Sequence, residues 1–201
     1  SAGEARADPG RLLALARHHR VVPALYAALG EAGRAADALA PLRAECRRNA
    51  ARMLALGAEW ARLHRRFAAE GIRCLTLKGP ALALLLYGDV TMRTCKDLDV
   101  LVPREDVART EAMLLREGYV KLREGAGRKM AEHGAAERGL AERKKAEPGG
   151  ADEHHVSLAH PARRVQLEVH WRLSRGIETA PDFDELWERG RMVVIGGAAG
   201  R

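Results

Sequence analysis

The feature that most constrains this chain is the segment Asp97-Leu98-Asp99-Val100-Leu101-Val102, stopped by Pro103. On a strand successive side chains leave opposite faces, so Asp97 and Asp99 share one face and Leu98, Val100 and Val102 take the other. Two steps of strand separate their Cα atoms by about 6.6 Å. Carboxylates that close can converge on one cation, or on a metal pair roughly 3.5–4 Å apart. Magnesium, with manganese as its substitute, is the expected occupant, because it takes oxygen ligands and completes its shell with substrate phosphates. The alternative is an ordinary half-exposed strand with two solvated aspartates. Against it stand the depletion of Asp in strands and the repulsion of like charges on one face.

A second strand, Val165-Gln166-Leu167-Glu168-Val169-His170-Trp171, places Gln166, Glu168 and His170 on one face and four apolar residues on the other. If it pairs beside the first strand with polar faces aligned, Glu168 becomes a third acid at the same cation. Such a cluster costs several kcal/mol per buried charge unless a cation is present. Lys78-Gly79 adds a strand-to-helix turn whose backbone N–H groups can approach phosphate oxygens, with a helix N-terminus behind them. Arg93 lies four residues before Asp97 and offers a cation to a triphosphate.

Around these residues the chain divides by texture. From Arg11 to about Gly71 the pattern is helical; after Pro41, Leu42, Cys46, Met53, Leu56, Trp60, Leu63 and Phe67 recur at helical spacing. We expect an N-terminal helical region over 1–70 and a core over 71–201. In the core the pattern predicts a strand at Ile72–Leu77, a helix at Ala81–Tyr87 and a helix at Arg104–Glu117. Structure resumes at His155–His160, with a turn at Pro161 and a strand at Val165–Trp171, then a helical turn or two at Phe183–Trp187 and a last strand at Met192–Ile195. Lys121–Asp152 has only Leu122, Met130 and Leu140 as apolar side chains besides alanine, so we expect a mobile loop or insertion there. Gly196–Gly200 does not read as a finished edge. His154, His155 and His160 carry no zinc-ligand spacing and read as a solvated turn; Trp60 and Trp187 read as core, and Cys95 as a packed thiol.

Bulk properties narrow the class. Aromatic residues are only 4% of the 201, so Leu, Ala and Val must supply the packing. No apolar run approaches the length a membrane span needs. The first residues lack an apolar signal core, and three cysteines without paired spacing indicate free thiols. Together these features make the cytoplasm the expected location, with no membrane partner. The net charge of +7 suits polyanionic partners, although an arginine- and alanine-rich composition produces it equally well.

Leu75-Thr76-Leu77-Lys78-Gly79-Pro80-Ala81, then Tyr87-Gly88-Asp89, Arg93, Asp97-Leu98-Asp99-Val100-Leu101-Val102 and Glu168-Val169-His170-Trp171 resemble one branch of the DNA polymerase beta-like nucleotidyltransferase superfamily. That branch comprises bacterial proteins described simply as nucleotidyltransferase family proteins. The resemblance spans about residues 10 to 173 and is poor over 121–152. It implies an α+β fold, a small mixed sheet with helices packed on it. It further implies in-line attack of an acceptor on the α-phosphate of a nucleoside triphosphate, with release of pyrophosphate. Carried over residue by residue, Asp97, Asp99 and Glu168 would be the catalytic metal ligands, and Lys78 and Gly79 would mark the phosphate-binding turn, with Arg93 nearby. The acceptor, whether a small molecule, a protein or RNA, is left open, as is the oligomeric state.

Two positions depart from that pattern. Pro80 stands where serine is usual after the glycine, and Lys96 stands where a small residue is usual before the first aspartate. The branch also continues beyond its "HW" strand into a helical region, whereas this chain stops at Arg201, as a piece or a reduced relative would. The rival from another class is a catalytically silent module that keeps the fold and binds RNA or a protein through its basic surface. A third reading, a phosphotransferase, would release a nucleoside diphosphate instead.

Overall fold

The apolar stripe after Pro41 forms the longest element. In the computed structural model, which describes residues 8–29, 37–122, 154–173 and 181–201, two short helices, α1 (Pro9–His18) and α2 (Val22–Ala28), precede the 30-residue α3 (Ala40–Ala69). Each has a proline in its first turn, where the missing N–H has no intrahelical partner to lose. Asp8 caps α1 by accepting from the Gly10 N–H. Ala16, Val22 and Leu42 form a small separate cluster that fastens α1 and α2 to the start of α3.

Farther along α3, Met53, Leu56, Trp60, Leu63 and Phe67 are all buried, as the spacing predicts. Burying each such side chain contributes about 1.5–3 kcal/mol. The helix ends in a Schellman motif. Gly71 takes φ 65°, its N–H donates to the Ala68 carbonyl, and the Ile72 N–H donates to the Phe67 carbonyl. That capping uses the first residues of the predicted Ile72–Leu77 strand, and the strand that forms, β1, is only Leu75–Thr76.

The chain then runs through α4 (Gly79–Tyr87), β2 (Asp97–Leu101), α5 (Val107–Arg116), β3 (Val120–Lys121), β4 (His155–His160) and β5 (Val165–His170). Helix α6 (Phe183–Arg189) and a hairpin of β6 (Val193–Ile195) and β7 (Ala198–Gly200) complete the described elements. Five strands make a mixed sheet in the order β1-β2-β5-β4-β3. Strands β2 and β5 are parallel and the other pairs antiparallel. Leu98, Val100, Leu158, Val165, Leu167 and Val169 share one buried core with α3 and with Met113 and Leu114 of α5. The expected α+β architecture is therefore present. Most of the Lys121–Asp152 segment, residues 123–152, lies outside the described residues.

Three expectations are corrected. Gly196–Gly200 is not an unfinished edge. Gly196 and Gly197 both take positive φ (55° and 72°), and Ile195 pairs with Ala198 across them. A Gly-Gly pair following an apolar run is the sequence signal for such a hairpin. His155–His160 is strand, not solvated turn; His160 is 9% exposed, packs edge-on against Tyr119 and accepts from the Arg163 N–H. Trp187 is half-buried with its ring against the Arg73 and Arg201 guanidinium groups, so it is not core.

The hairpin lies on α3 so closely that a Cβ at Gly200 would stand 2.4 Å from His64 Nδ1 and 2.7 Å from Trp60 Cζ2. Both rings are pinned, since His64 Nε2 and Trp60 Nε1 lie 3.0 and 2.8 Å from the Thr76 hydroxyl. Gly200→Ala should therefore cost about 1–3 kcal/mol through overpacking. Denaturant unfolding checks this, and a midpoint equal to wild type would show that the hairpin lifts off freely.

Candidate active site

The register of the parallel pair assembles the polar face. Asp99 stands opposite Glu168 and Asp97 opposite Gln166, so Asp97, Asp99 and Glu168 leave the sheet on the same side. The antiparallel pairing of β4 with β5 sets His155 opposite His170 on that face. Three carboxylates and two imidazoles thus come together from segments about 70 residues apart, held by a sheet whose other face is the core.

Asp99 is the most enclosed of the acids, with 4% of its side chain exposed. Its Oδ1 accepts from Lys78 Nζ at 3.3 Å and lies 3.3 Å from His170 Nε2. His170 Nε2 is also 3.4 Å from Glu168 Oε2, so one ring nitrogen spans two carboxylates. Burial works to raise the Asp99 carboxyl. The hydrogen bond from His170 and the charge of Lys78 outweigh it and hold the group below the usual carboxylate range. Glu168 is lowered chiefly by its hydrogen bond with His170, against burial and helped by the charge of His155. Burial would lower His170, but its bonds to Asp99 and Glu168 prevail and raise it. Asp97 bears the unrelieved repulsion. Burial first, then the charges of Asp99 and Glu168, push its carboxyl up, with Lys78 offsetting only part.

Of the remaining predicted positions, Lys78 and Gly79 stand at the start of α4 and Arg93 in the loop before β2. Lys78 immediately precedes α4, and its side chain is 61% exposed apart from the contact with Asp99. Gly79 opens α4 at φ 72°, a left-handed conformation that L side chains rarely adopt. No side chain caps this helix, and Pro80 removes one N–H from its first turn, leaving those of Gly79 and Ala81. The Arg93 carbonyl accepts from Asn49 of α3, which ties the loop before β2 to the long helix. The guanidinium Nη1 of Arg93 is buried without a hydrogen-bond partner among the described residues. Cys95 is a packed thiol with Sγ 3.4 Å from Met53 Sδ, its pKa pushed up to about 11, chiefly by burial.

The acid and imidazole groups fall into two sets with metal-ligating spacing among the described residues, Asp99–Glu168–His170 and His154–His155–His170. His170 is common to both. Its tie to Asp99 was beyond reach of the sequence, because it depends on which strand lies next to β2. His155 was also missed; its signal would have been the alternation of His155 and Ser157 along β4, legible only once that strand is paired with β5.

What this arrangement can do follows from its donors. Three oxygen anions, with Lys78 on Asp99, suit a hard divalent cation and a phosphorylated substrate. No described helix is long and apolar enough to cross a membrane. No curated protein and no solved structure matches the chain. The model of one protein family, described as uncharacterised nucleotidyltransferase, matches residues 5–201. With nearly the whole length matched, this chain belongs to that family of nucleotidyltransferases.

Proposed function

We propose that the protein transfers a nucleoside monophosphate from a nucleoside triphosphate to an acceptor group, releasing pyrophosphate. Asp97, Asp99 and Glu168 would hold magnesium, or manganese in its place. The observation that carries this reading is the pairing of Asp99 with Glu168 across parallel strands, with Asp97 on the same face. The donor set fits the ion. All three side chains offer oxygen, and the raised Asp97 carboxyl marks a site short of positive charge. Bound there, the metal supplies charge that neutralises the phosphate oxygens as the transferred group passes between leaving pyrophosphate and acceptor.

The chain's own residues do the rest by holding and orienting. His170, between Asp99 and Glu168, keeps the two carboxylates from splaying. Lys78 has an exposed stem that lets its ammonium pass from Asp99 to a phosphate oxygen. Gly79 brings its own N–H and that of Ala81 to the start of α4, where partial positive charge favours an anion. The half-buried Arg93, whose backbone carbonyl is held by Asn49, adds a cation whose Nη1 has no hydrogen-bond partner among the described residues.

The purified protein should be incubated with each of the four ribonucleoside triphosphates and magnesium, with pyrophosphate release followed and adducts sought by mass spectrometry. We expect pyrophosphate and a nucleoside monophosphate adduct with at least one of them. Release of nucleoside diphosphate would replace the reading with phosphotransfer. Nucleotide binding without turnover, across protein, RNA and small-molecule acceptors, would replace it with a silent binding module.

A further inference from the structure

Two members of the second histidine-containing set, His154 and His155, have no role in the nucleotide transfer proposed above, and the chemistry of the set differs from that of the carboxylates. His155 and His170 are cross-strand partners on β4 and β5, so their side chains leave the same face. His154 precedes β4 and is held beside them by the Trp171 N–H donating to its carbonyl at 3.1 Å. The three rings pack with centroids 4.5, 5.1 and 5.8 Å apart. One nitrogen from each lies within 4.8 Å of the others.

We propose that His154, His155 and His170 form a binding site for a borderline divalent cation of the zinc class, beside the carboxylate site and sharing only His170 with it. His155 Nδ1 and His154 Nε2 are 3.3 Å apart. Two imidazole nitrogens at about 2.0–2.1 Å from a tetrahedral zinc stand about 3.3–3.4 Å from each other, so this pair already has the spacing of ligands on one ion. His170 is 93% buried by its 7% exposure, and its Nδ1 is buried with no hydrogen-bond partner among the described residues. Its Nε2 faces Asp99 and Glu168. With that nitrogen donating to a carboxylate, Nδ1 keeps its lone pair, the arrangement by which carboxylates orient histidines that bind zinc. Three imidazoles prefer zinc, cobalt, nickel or copper, whereas magnesium prefers the oxygens next door. Three protein ligands also leave a fourth position to water or another donor.

The test uses metal alone, without nucleotide, so it stands or falls independently of the transfer reaction. Metal-free protein is titrated with cobalt(II) and followed by visible absorption, then with zinc(II) by calorimetry, in excess magnesium. We expect one equivalent of cobalt to bind with the intense absorption of a four- or five-coordinate ion, and magnesium not to displace it. His154→Ala and His155→Ala should each weaken binding more than about tenfold, whereas Asp97→Asn, outside this set, should leave the spectrum as it is. Circular dichroism confirms that the variants are folded. Undiminished cobalt binding in the double variant His154→Ala/His155→Ala would move the ion to Asp99 and Glu168 and overturn the proposal. So would the absence of a cobalt signal in the wild-type protein.

Discussion

Asp99→Asn is expected to lower nucleotide transfer roughly a hundredfold or more, about 3 kcal/mol of transition-state stabilisation. Asp99 is the acid on which the site converges: Lys78 and His170 both reach its Oδ1, and Glu168 is its partner across the β2–β5 pair. The amide keeps the shape and the oxygen but removes the charge that a cation would need. Glu168→Gln should fall in the same direction for the same reason. Without metal, Glu168→Gln sets two effects against each other: it relieves the repulsion that Glu168 exerts on Asp97 and weakens the bond from His170 that holds Glu168 ionised. Pyrophosphate release at saturating magnesium and nucleotide measures the loss, with thermal melting alongside to show that the protein is folded. Turnover of Asp99→Asn within a few-fold of wild type would remove Asp99 from the reaction.

The largest effect on stability is expected far from that face. Glu59 of α3 has 6% of its side chain exposed and accepts from Arg62 and from the Tyr119 hydroxyl, the latter at 2.6 Å. Arg62 also pairs with Glu117, which Arg66 holds at 2.7 Å, so the network fastens α3 to the end of α5. Glu59→Ala leaves the Tyr119 hydroxyl and half of the Arg62 guanidinium without their partner. Breaking a buried pair costs about 3–5 kcal/mol, and the surviving Arg62–Glu117 pair sets the expectation at about 3. Tyr119→Phe, which removes one neutral donor, should cost only about 1 kcal/mol.

Acid should erase the Glu59 difference. Burial would raise this carboxyl, but the bonds from Arg62 and Tyr119 outweigh it and hold the group below the usual range. Stability drawn from a lowered carboxyl is present above its unfolded pKa and is lost as pH falls through the folded one. The gap between wild type and Glu59→Ala should therefore be full at neutral pH and shrink in acid. Chemical denaturation across pH measures it; a gap constant down to the acid limit would show that Glu59 acts by packing and not by charge.

Much of this was legible locally. Alternation along Asp97–Val102 and Val165–Trp171 assigned Leu98, Val100, Leu167 and Val169 to the core, because side-chain direction on a strand depends only on position. The three- and four-residue spacing after Pro41 located α3 for the same reason, since a helix repeats its face by local geometry. What escaped were polar residues at apolar places. Glu59 and His64 lie on the buried side of α3, and no periodicity argument admits a charged or titratable residue there without its partners. Arg62 stands one helical turn along α3 from Glu59, but Tyr119 for Glu59 and Thr76 for His64 come from elements the local pattern does not connect.

The sequence by itself determined which side chains are acids, which strands carry them and which face of each strand they occupy. Only the tertiary structure decided that β5 lies parallel and adjacent to β2, in the register that sets Glu168 against Asp99, with β4 on its far side carrying His155 to His170. The reason is physical. Side-chain direction follows from the local backbone, whereas strand order and register follow from burying one apolar face against α3 and α5, a condition on the whole chain at once.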